Sequence, residues 1–387
     1  MSRTSGVSRK HRKGCDRHTG CGCPWQFYVE FRTAEKVRRQ VNRAGFPTRK
    51  AAVEARQQFA ADYQAGKIDP GKGRLTMAEY LPMWLAQRAD PHNGGRTLRA
   101  STVEGYEKHL RLYLVPRLGR VKVRDLTAEH VEGTYRWMRE QGKSETLVHH
   151  VHATLRSAVT FAVQKGYLPS DDFMKRVELN KVDEYQANPW TPDEWAIFRA
   201  RAEQSRYWPL LLLAVDAGMR RGELCGLRWS DVGLDEAKVT VAHTRTFVGG
   251  RVVEGRPKSG KTREVFLTPG TVTVLRSWRK QQAEERLRLG EAYTDSGLVF
   301  TDEAGAGYLP GSVSQAFDRL VEQAGVRRCR FHDLRHLSAV LGIAAGESLY
   351  EVSDRLGHSS VQITERAYAA LLDDARRAAA EKRAAML

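Results

Sequence analysis

Two short linker-like segments divide the 387-residue chain into three blocks of unlike composition, and this division constrains the fold more than any other feature. The first segment, residues 68–74, reads IDPGKGR, and its proline and glycines are typical of a linker. The second occupies residues 181–188. A chain of this length is expected to form two or three domains. We therefore predict a mainly α, multidomain protein.

The block before the first linker is short, basic and rich in aromatic residues. Residues 25–31 (WQFYVEF) and 38–41 read as strands, and a helix is expected between Thr48 and Gly66. Thirteen Lys or Arg against three Asp or Glu give residues 1–50 a charge of +10, out of +17 for the chain. A solvated basic tail is the alternative. The aromatic strands favour a small α/β module at residues 1–67 that grips nucleic acid.

The second block reads as helix almost throughout. Helical periodicity and N-cap residues predict four helices between residues 75 and 180, the second of them beginning at Ser101 or Thr102 and ending at Gly119. Apolar residues including Leu110 and Leu114 recur at helical spacing and are expected to face a core. No candidate catalytic residue is found here. We predict an α-helical binding domain.

The third block, residues 189–387, mixes helices with a short β-region. Thr191 and Pro192 are an N-cap and first-turn pair that predicts a helix start. Residues 238–243, 251–253 and 263–267 are expected to form a small antiparallel sheet, with a turn at Gly249 and Gly250. We predict an α-rich domain with a small antiparallel sheet.

The N-terminal cysteines leave two interpretations open. Cys15, Cys21 and Cys23 cluster near His18, and thiolates with an imidazole suit Zn²⁺. However, C-x-C matches a zinc site less well than C-x₂-C, and no second ligand pair follows downstream. Reduced thiols are therefore favoured, and no metal ligand is assigned.

Two motifs in the third block carry arginines suited to a phosphate. Arg220 in GMRRGEL follows an apolar helix, where a guanidinium is costly unless an anion accompanies it. Pairing with Glu223 is the structural alternative. His332 and Arg335 in HDLRH are three residues apart and share a helical face. An imidazole beside a guanidinium suits an oxyanion.

Two further motifs supply a lysine, a histidine and a tyrosine. PKSGK places Lys258 in a turn, where a flexible ammonium can reach a bound group. RLGHSSVQITERAYA places His358 after a glycine turn, with Tyr368 ten residues later. Each has an ordinary alternative taken singly: a solvated lysine, a helix cap and a core aromatic.

The order of these motifs closely resembles the tyrosine recombinase (phage integrase) family. The resemblance spans nearly the whole chain and is strongest over residues 190–370, with Ala217 standing where relatives often carry Thr. It implies the DNA breaking-rejoining fold, with an arm-type DNA-binding module at 1–67, a helical core-binding (SAM-like) domain at 75–180 and a catalytic integrase domain at 189–387. The catalytic residues implied are Arg220, Lys258, His332, Arg335, His358 and Tyr368.

Phosphoryl-transfer chemistry suggests a role for each residue. Arg220 and Arg335 would clamp the non-bridging oxygens of a DNA phosphodiester while Tyr368 attacks it. His332 would accept the phenol proton or hold it by a hydrogen bond, and Lys258 would protonate the departing 5′ oxygen. His358 would donate a further hydrogen bond to the phosphate. Glu223 would orient Arg220.

The resemblance implies a site-specific recombinase that integrates and excises a phage or mobile element through a 3′-phosphotyrosyl intermediate. No cofactor is expected, because phosphotyrosine keeps the bond energy and the sequence has no P-loop motif. The expected partners are double-stranded DNA attachment sites and three further copies in a homotetramer, with a directionality factor and a host DNA-bending protein as candidates. No membrane span or signal peptide is read, so we expect a cytoplasmic protein.

Three rival functions remain open at this point. A chromosome-dimer resolvase and a type IB topoisomerase share the chemistry, but the resolvases usually lack the extra N-terminal module. The third, a DNA-binding regulator without catalysis, is disfavoured because every expected catalytic residue is present.

Overall fold

The computed structural model describes residues 6–11, 14–16, 21–32, 38–65, 74–92, 98–182, 188–257, 260, 262–357, 360–362 and 384. The chain forms two compact units, Met1–Asp183 and Glu184–Leu387. Helices predominate and the sheets are small and antiparallel, which confirms the predicted fold class. Over the ranges given above, no helix is both long and apolar enough to cross a membrane.

The first unit begins with a three-stranded antiparallel sheet packed on one helix. The strands are β1 (Val7–Arg9), β2 (Trp25–Arg32) and β3 (Arg38–Phe46), followed by helix α1 (Arg49–Gln64). Phe27, Val41 and Phe59 are the buried side chains of its small core. Strand β3 is longer than the sequence predicted because its pairing with β2 continues to Phe46. Strand β1 was not predicted, because three residues carry no readable pattern.

Helices make up the rest of the first unit. The four predicted helices are present, but the second is interrupted by a π-helical turn before Pro116, which has no N–H to donate to the preceding turn. Trp84, Leu114 and Leu155 lie in a core separate from that of the sheet. The segments are α2 (Met77–Ala89), α3 (Ala100–His109), the π-helical turn (Leu110–Leu114), α4 (Val115–Leu118), α5 (Ala128–Glu140), α6 (Glu145–Gln164) and α7 (Asp172–Lys175). The predicted boundary between domains at 1–67 and 75–180 stays a prediction.

The second unit packs helices around the apolar helix α9. Thr191 caps α8 as predicted, and its hydroxyl accepts a hydrogen bond from the Glu194 amide. The helices are α8 (Pro192–Ala202), α9 (Trp208–Asp216), α10 (Arg221–Cys225), α11 (Pro269–Leu289), α12 (Pro310–Ala324), α13 (Asp333–Ala344) and α14 (Leu349–Leu356). The strands are β4 (Val232–Gly233), β5 (Lys238–Val241), β6 (Thr244–Val248), β7 (Arg251–Gly255) and β8 (Arg263–Phe266).

The strands of the second unit form two separate sheets where the sequence suggested one. Strands β4, β5 and β8 make a three-stranded antiparallel sheet, and β6 pairs only with β7. Gly249 and Gly250 have φ values of 56° and 78°, the left-handed conformation that a tight two-residue hairpin turn requires. Because this turn commits β7 to β6, strand β5 is left to pair with β8.

Replacing Leu114 by Ala should lower the free energy of unfolding of the helical core by about 2–5 kcal/mol, because a fully buried leucine leaves a cavity. Leu112→Ala is the matched control, since Leu112 lies on the same turn and is 43% exposed. The control should change the stability by less than about 0.5 kcal/mol. Urea unfolding followed by circular dichroism measures both, and equal effects would contradict the assigned burial.

Candidate active site

A glycine turn at the end of α9 positions Arg220. Gly218 has φ +60°, and a Cβ atom there would overlap the Leu356 side chain, so this position requires glycine. The Gly218 carbonyl accepts a hydrogen bond of 2.6 Å from Arg335 Nη1. Arg220 follows as the N-cap residue of α10. The turn thus brings two of the predicted catalytic arginines to one place.

Glu223 holds two arginines in this site. Its carboxylate, only 2% exposed, accepts from Arg220 Nη1 at 2.9 Å and from Arg263 Nη2 at 2.8 Å. The Arg220 backbone N–H donates to the same carboxylate at 3.0 Å. Burial acts to raise the pKa of Glu223, but Arg263 and Arg220 outweigh it, so the pKa is lowered and the group is ionised. The predicted contact between Glu223 and Arg220 is therefore present.

Three arginines bind the last carbonyls of α14. Arg263 Nε donates to the Arg355 carbonyl at 2.9 Å, and Arg335 Nη2 donates to the next carbonyl, that of Leu356. Arg220 Nη2 donates to the Gly357 carbonyl at 3.3 Å. These carbonyls lie at the negative end of the helix, where cations are favourable. The peptide just before His358 is thereby fixed by side chains from three separate segments.

Arg220 and Arg335 differ in how much of each guanidinium reaches solvent. The Arg335 residue is 4% exposed, and its two terminal nitrogens each donate to a backbone carbonyl. The Arg220 side chain is 28% exposed. The terminal nitrogens of Arg335 therefore bind the protein's own backbone. Arg220 is the more accessible cation of the two.

His332 lies directly before α13 and is neutral at physiological pH. Its pKa is lowered from 6.5 to about 4, first by burial and then by His336 and Arg335. Arg220 acts in the same direction, so both arginines influence this imidazole. The His336 ring lies edge-on, with the ring centres 5.6 Å apart. A neutral imidazole can accept a proton or a hydrogen bond, which suits the role predicted for His332.

The structure brings together three of the six predicted catalytic residues. Arg220 and Arg335 both bind carbonyls at the C-terminal end of α14, and His332 lies three residues before Arg335, where both arginines influence its pKa. Lys258, His358 and Tyr368 lie outside the described residues. His358 is adjacent in sequence to Gly357, whose carbonyl binds Arg220. Lys258 belongs to the segment between β7 and β8.

Sequence reasoning did not assign a role to Arg263 or Arg355. Arg355 Nη1 donates to the Asp216 carbonyl at 3.2 Å and Nη2 binds the Glu347 carboxylate at 2.7 Å, so it joins the ends of α9 and α14. Arg355 also contacts Ser338 on α13. Both arginines adjoin or fall within recognised motifs. Most of their partners lie far away in the sequence, so these contacts could not be predicted from the sequence alone.

Comparison with known proteins agrees with this arrangement. The model described as the phage integrase family matches residues 196–374. An integrase of Streptomyces ambofaciens is 29% identical over 351 residues, covering 86% of this chain and 85% of that protein. A XerC-like tyrosine recombinase of Caldanaerobacter subterraneus is 24% identical over 340 residues, covering 83% and 85%. The ICEBs1 integrase of Bacillus subtilis is 24% identical over 359 residues, covering 90% and 93%.

Two solved structures have a similar fold. The Tn1549 transposon integrase in complex with transposon right end DNA has a TM-score of 0.65 at 20% identity, covering 80% of this chain and 100% of that chain. A lambda integrase tetramer bound to a Holliday junction has a TM-score of 0.56 at 20% identity, covering 86% and 93%. The chain thus has the DNA breaking-rejoining fold of these two structures. Residues 196–374 match the phage integrase family, and the relatives named above are integrases and a tyrosine recombinase.

Replacing Arg263 by Ala should lower the free energy of unfolding by about 3–5 kcal/mol, because it removes a partner of the buried Glu223 carboxylate. Arg276→Ala is the matched control, since Arg276 forms an ion pair with Asp235 but is 53% exposed. Its loss should cost at most about 1 kcal/mol. Denaturant unfolding of both variants checks the difference. Equal losses would show that Glu223 does not depend on Arg263.

His332 should make the protein less stable as the pH falls below 6.5, since its folded pKa of about 4 lies below the unfolded value of 6.5. Between these values the unfolded chain binds a proton that the folded chain does not. A His332→Gln variant should therefore lose less stability over this pH range than the unmodified protein. His243→Gln, at a histidine that pairs with Asp231, is the control. Thermal unfolding against pH measures this slope, and parallel curves for His332→Gln and the unmodified protein would contradict the lowered pKa of His332.

Proposed function

We propose that this protein integrates and excises a phage or other mobile element by site-specific recombination. It is a tyrosine-type recombinase, an enzyme that cuts and rejoins DNA through a phosphotyrosine. The observation that carries the proposal is that Arg220 and Arg335 bind neighbouring carbonyls at the end of α14, with the neutral His332 three residues before Arg335. Two fixed cations and an uncharged proton acceptor are what attack on a phosphodiester requires.

The two arginines would neutralise the negative charge that develops on the scissile phosphate. Arg220 has the more exposed side chain and would make the first contact with a non-bridging oxygen. Arg335 would add charge from a buried position, where the lower dielectric strengthens its effect. Glu223 would keep Arg220 in place without reacting, because Arg220 and Arg263 already occupy its carboxylate.

The cleavage step would then proceed by in-line displacement. The Tyr368 oxygen forms a bond to phosphorus while the bond between phosphorus and the 5′ oxygen breaks. His332 accepts the phenol proton, Lys258 gives a proton to the departing 5′ oxygen, and His358 donates a hydrogen bond to the phosphate. The products are a 3′-phosphotyrosyl enzyme and a free 5′ hydroxyl. Attack by a 5′ hydroxyl of another strand reverses the step and releases Tyr368, so no nucleotide cofactor is needed.

We assign each segment of the chain a part in DNA binding. The basic module at 1–67 would bind arm-type sites, the helical domain at 75–180 would bind the core site, and the domain at 189–387 would catalyse cleavage. The partners are double-stranded attachment sites in the cytoplasm. The tetramer of lambda integrase on a Holliday junction supports a homotetramer here. A directionality factor and a host DNA-bending protein are further proposed partners.

A chromosome-dimer resolvase is the second candidate, favoured by the similarity to the XerC-like recombinase. The sheet and helix before residue 67 argue for the integrase, because the resolvases usually lack this module. A plasmid recombination assay separates the two. The integrase requires two different attachment sites, whereas a resolvase recombines two copies of one site.

A nicked suicide duplex that carries a candidate attachment site tests the chemistry. The full-length protein should form a covalent DNA adduct, visible on a denaturing gel, and Tyr368→Phe should form none. Tyr350→Phe is the matched control, because Tyr350 is a 71% exposed tyrosine on α14 and should leave the adduct unchanged. Tight DNA binding without any adduct from the unmodified protein would replace the recombinase by a catalytically silent regulator.

A further inference from the structure

The connection between β1 and β2 brings together four potential metal ligands. Strand β1 pairs with β2 over three residue pairs, from Val7 with Phe27 to Arg9 with Trp25. The Lys10 amide then donates to the Pro24 carbonyl at 2.8 Å, which closes a loop of residues 11–23.

The ligand atoms of His11, Cys15, Cys21 and Cys23 all lie within 4.8 Å of one another. His11 follows the last pair of the hairpin, and Cys21 and Cys23 precede β2, so the two ends of the loop both contribute. Cys15 comes from its middle, one residue after Gly14, which has φ +88°. All five cysteines fall in the described part of the chain, and none forms a disulfide.

The distances match the geometry of tetrahedral zinc. Cys15 Sγ lies 3.4 Å from His11 Nδ1, and Cys21 Sγ lies 3.5 Å from the same nitrogen. With Zn–S near 2.3 Å and Zn–N near 2.0–2.1 Å, a tetrahedral site has a sulfur-to-nitrogen edge of about 3.6 Å. These two separations are close to those that a shared ion imposes, and the other ligand atoms lie within 4.8 Å of them.

The donor set selects zinc. Three thiolates and one imidazole form the Cys₃His set of structural zinc sites, and soft sulfur ligands disfavour magnesium or calcium. Such a site carries a net charge of −1. Arg9 Nη1 lies 3.1 Å from Cys21 Sγ and also donates to the Cys21 carbonyl. This guanidinium can offset the charge and hold the sulfur in place.

We propose that His11, Cys15, Cys21 and Cys23 bind one structural Zn²⁺ that fixes β1 to the N-terminal sheet. Such a site would strengthen a small module, because the core cluster between its sheet and helix has three large buried side chains among the described residues, Phe27, Val41 and Phe59. Modules of this size commonly rely on a metal or disulfides for stability. Because ligands that meet only in the folded state bind the ion together, the energy of metal binding becomes folding energy.

This ligand set replaces the interpretation that sequence alone favoured. The sequence spacing made His18 the candidate fourth ligand of a zinc site. It nevertheless favoured reduced free thiols over a zinc site. His18 lies outside the described residues, and His11 occupies the position beside the cysteines. The pairing of Arg9 with Trp25 is what delivers His11 there, and β1 was too short to be predicted.

Metal analysis of the full-length protein, purified under reducing conditions without chelator, tests the proposal. We expect one zinc per chain in the unmodified protein and less than about a tenth of that in His11→Ala and Cys21→Ser. His18→Ala and Cys329→Ala, the latter at a buried cysteine of the second unit, should retain the full zinc content. Replacement of zinc by Co²⁺ should give the visible absorption and the thiolate charge-transfer bands of a tetrahedral sulfur-rich site.

A protein that holds no zinc after purification and after reconstitution with Zn²⁺ would overturn the proposal. Loss of zinc in His18→Ala with retention in His11→Ala would also overturn the ligand set. Thiol alkylation followed by mass spectrometry provides a readout that does not depend on any variant folding. Cys15, Cys21 and Cys23 should be protected until a chelator is added, whereas a disulfide that only a reductant opens would contradict the metal site.

Discussion

The hydrogen bonds from three arginines to three successive carbonyls at the end of α14 are the interactions on which the site depends. Arg263 comes from a strand, Arg335 from α13 and Arg220 from the turn after α9. Arg335 also binds the Gly218 carbonyl, and Arg263 also binds Glu223, so further polar contacts join the same three segments. Glu223 also binds two of these arginines, Arg220 and Arg263. One short peptide, whose Gly357 lies 137 positions after Arg220 in the sequence, therefore organises all three arginines.

Close packing between helices of the second unit determines the position of this peptide. The apolar helix α9 is buried along most of its length, and α13 packs against it. Gly218 allows Leu356 to approach the end of α9, and Arg355 binds the same end through the Asp216 carbonyl. The position of the carbonyls thus follows from close helix packing at a glycine, and the arginine geometry follows from the carbonyls.

The contacts of this site that join residues close in sequence could be predicted from the sequence alone. The contact of Arg220 with Glu223 and the proximity of His332 to Arg335 arise from three-residue spacings, which the backbone of a helix turns into neighbours. The helix start at Thr191 was predictable because capping is equally local. The role of Arg263 was not readable, since its partners come from elements far away in the chain. The same holds for His11, which reaches the cysteines only through strand pairing.

Two backbone carbonyls hold Arg335 in the packed interior, and this would have a consequence for the rate of the proposed reaction. A cation held by permanent dipoles in this way has little freedom to reorient toward solvent. In the proposed reaction, an arriving phosphate would therefore meet charge that is already oriented, and little reorganisation of the surroundings would accompany its transformation. Folding would then supply, once, the orientation of charge that water would otherwise have to supply at each turnover.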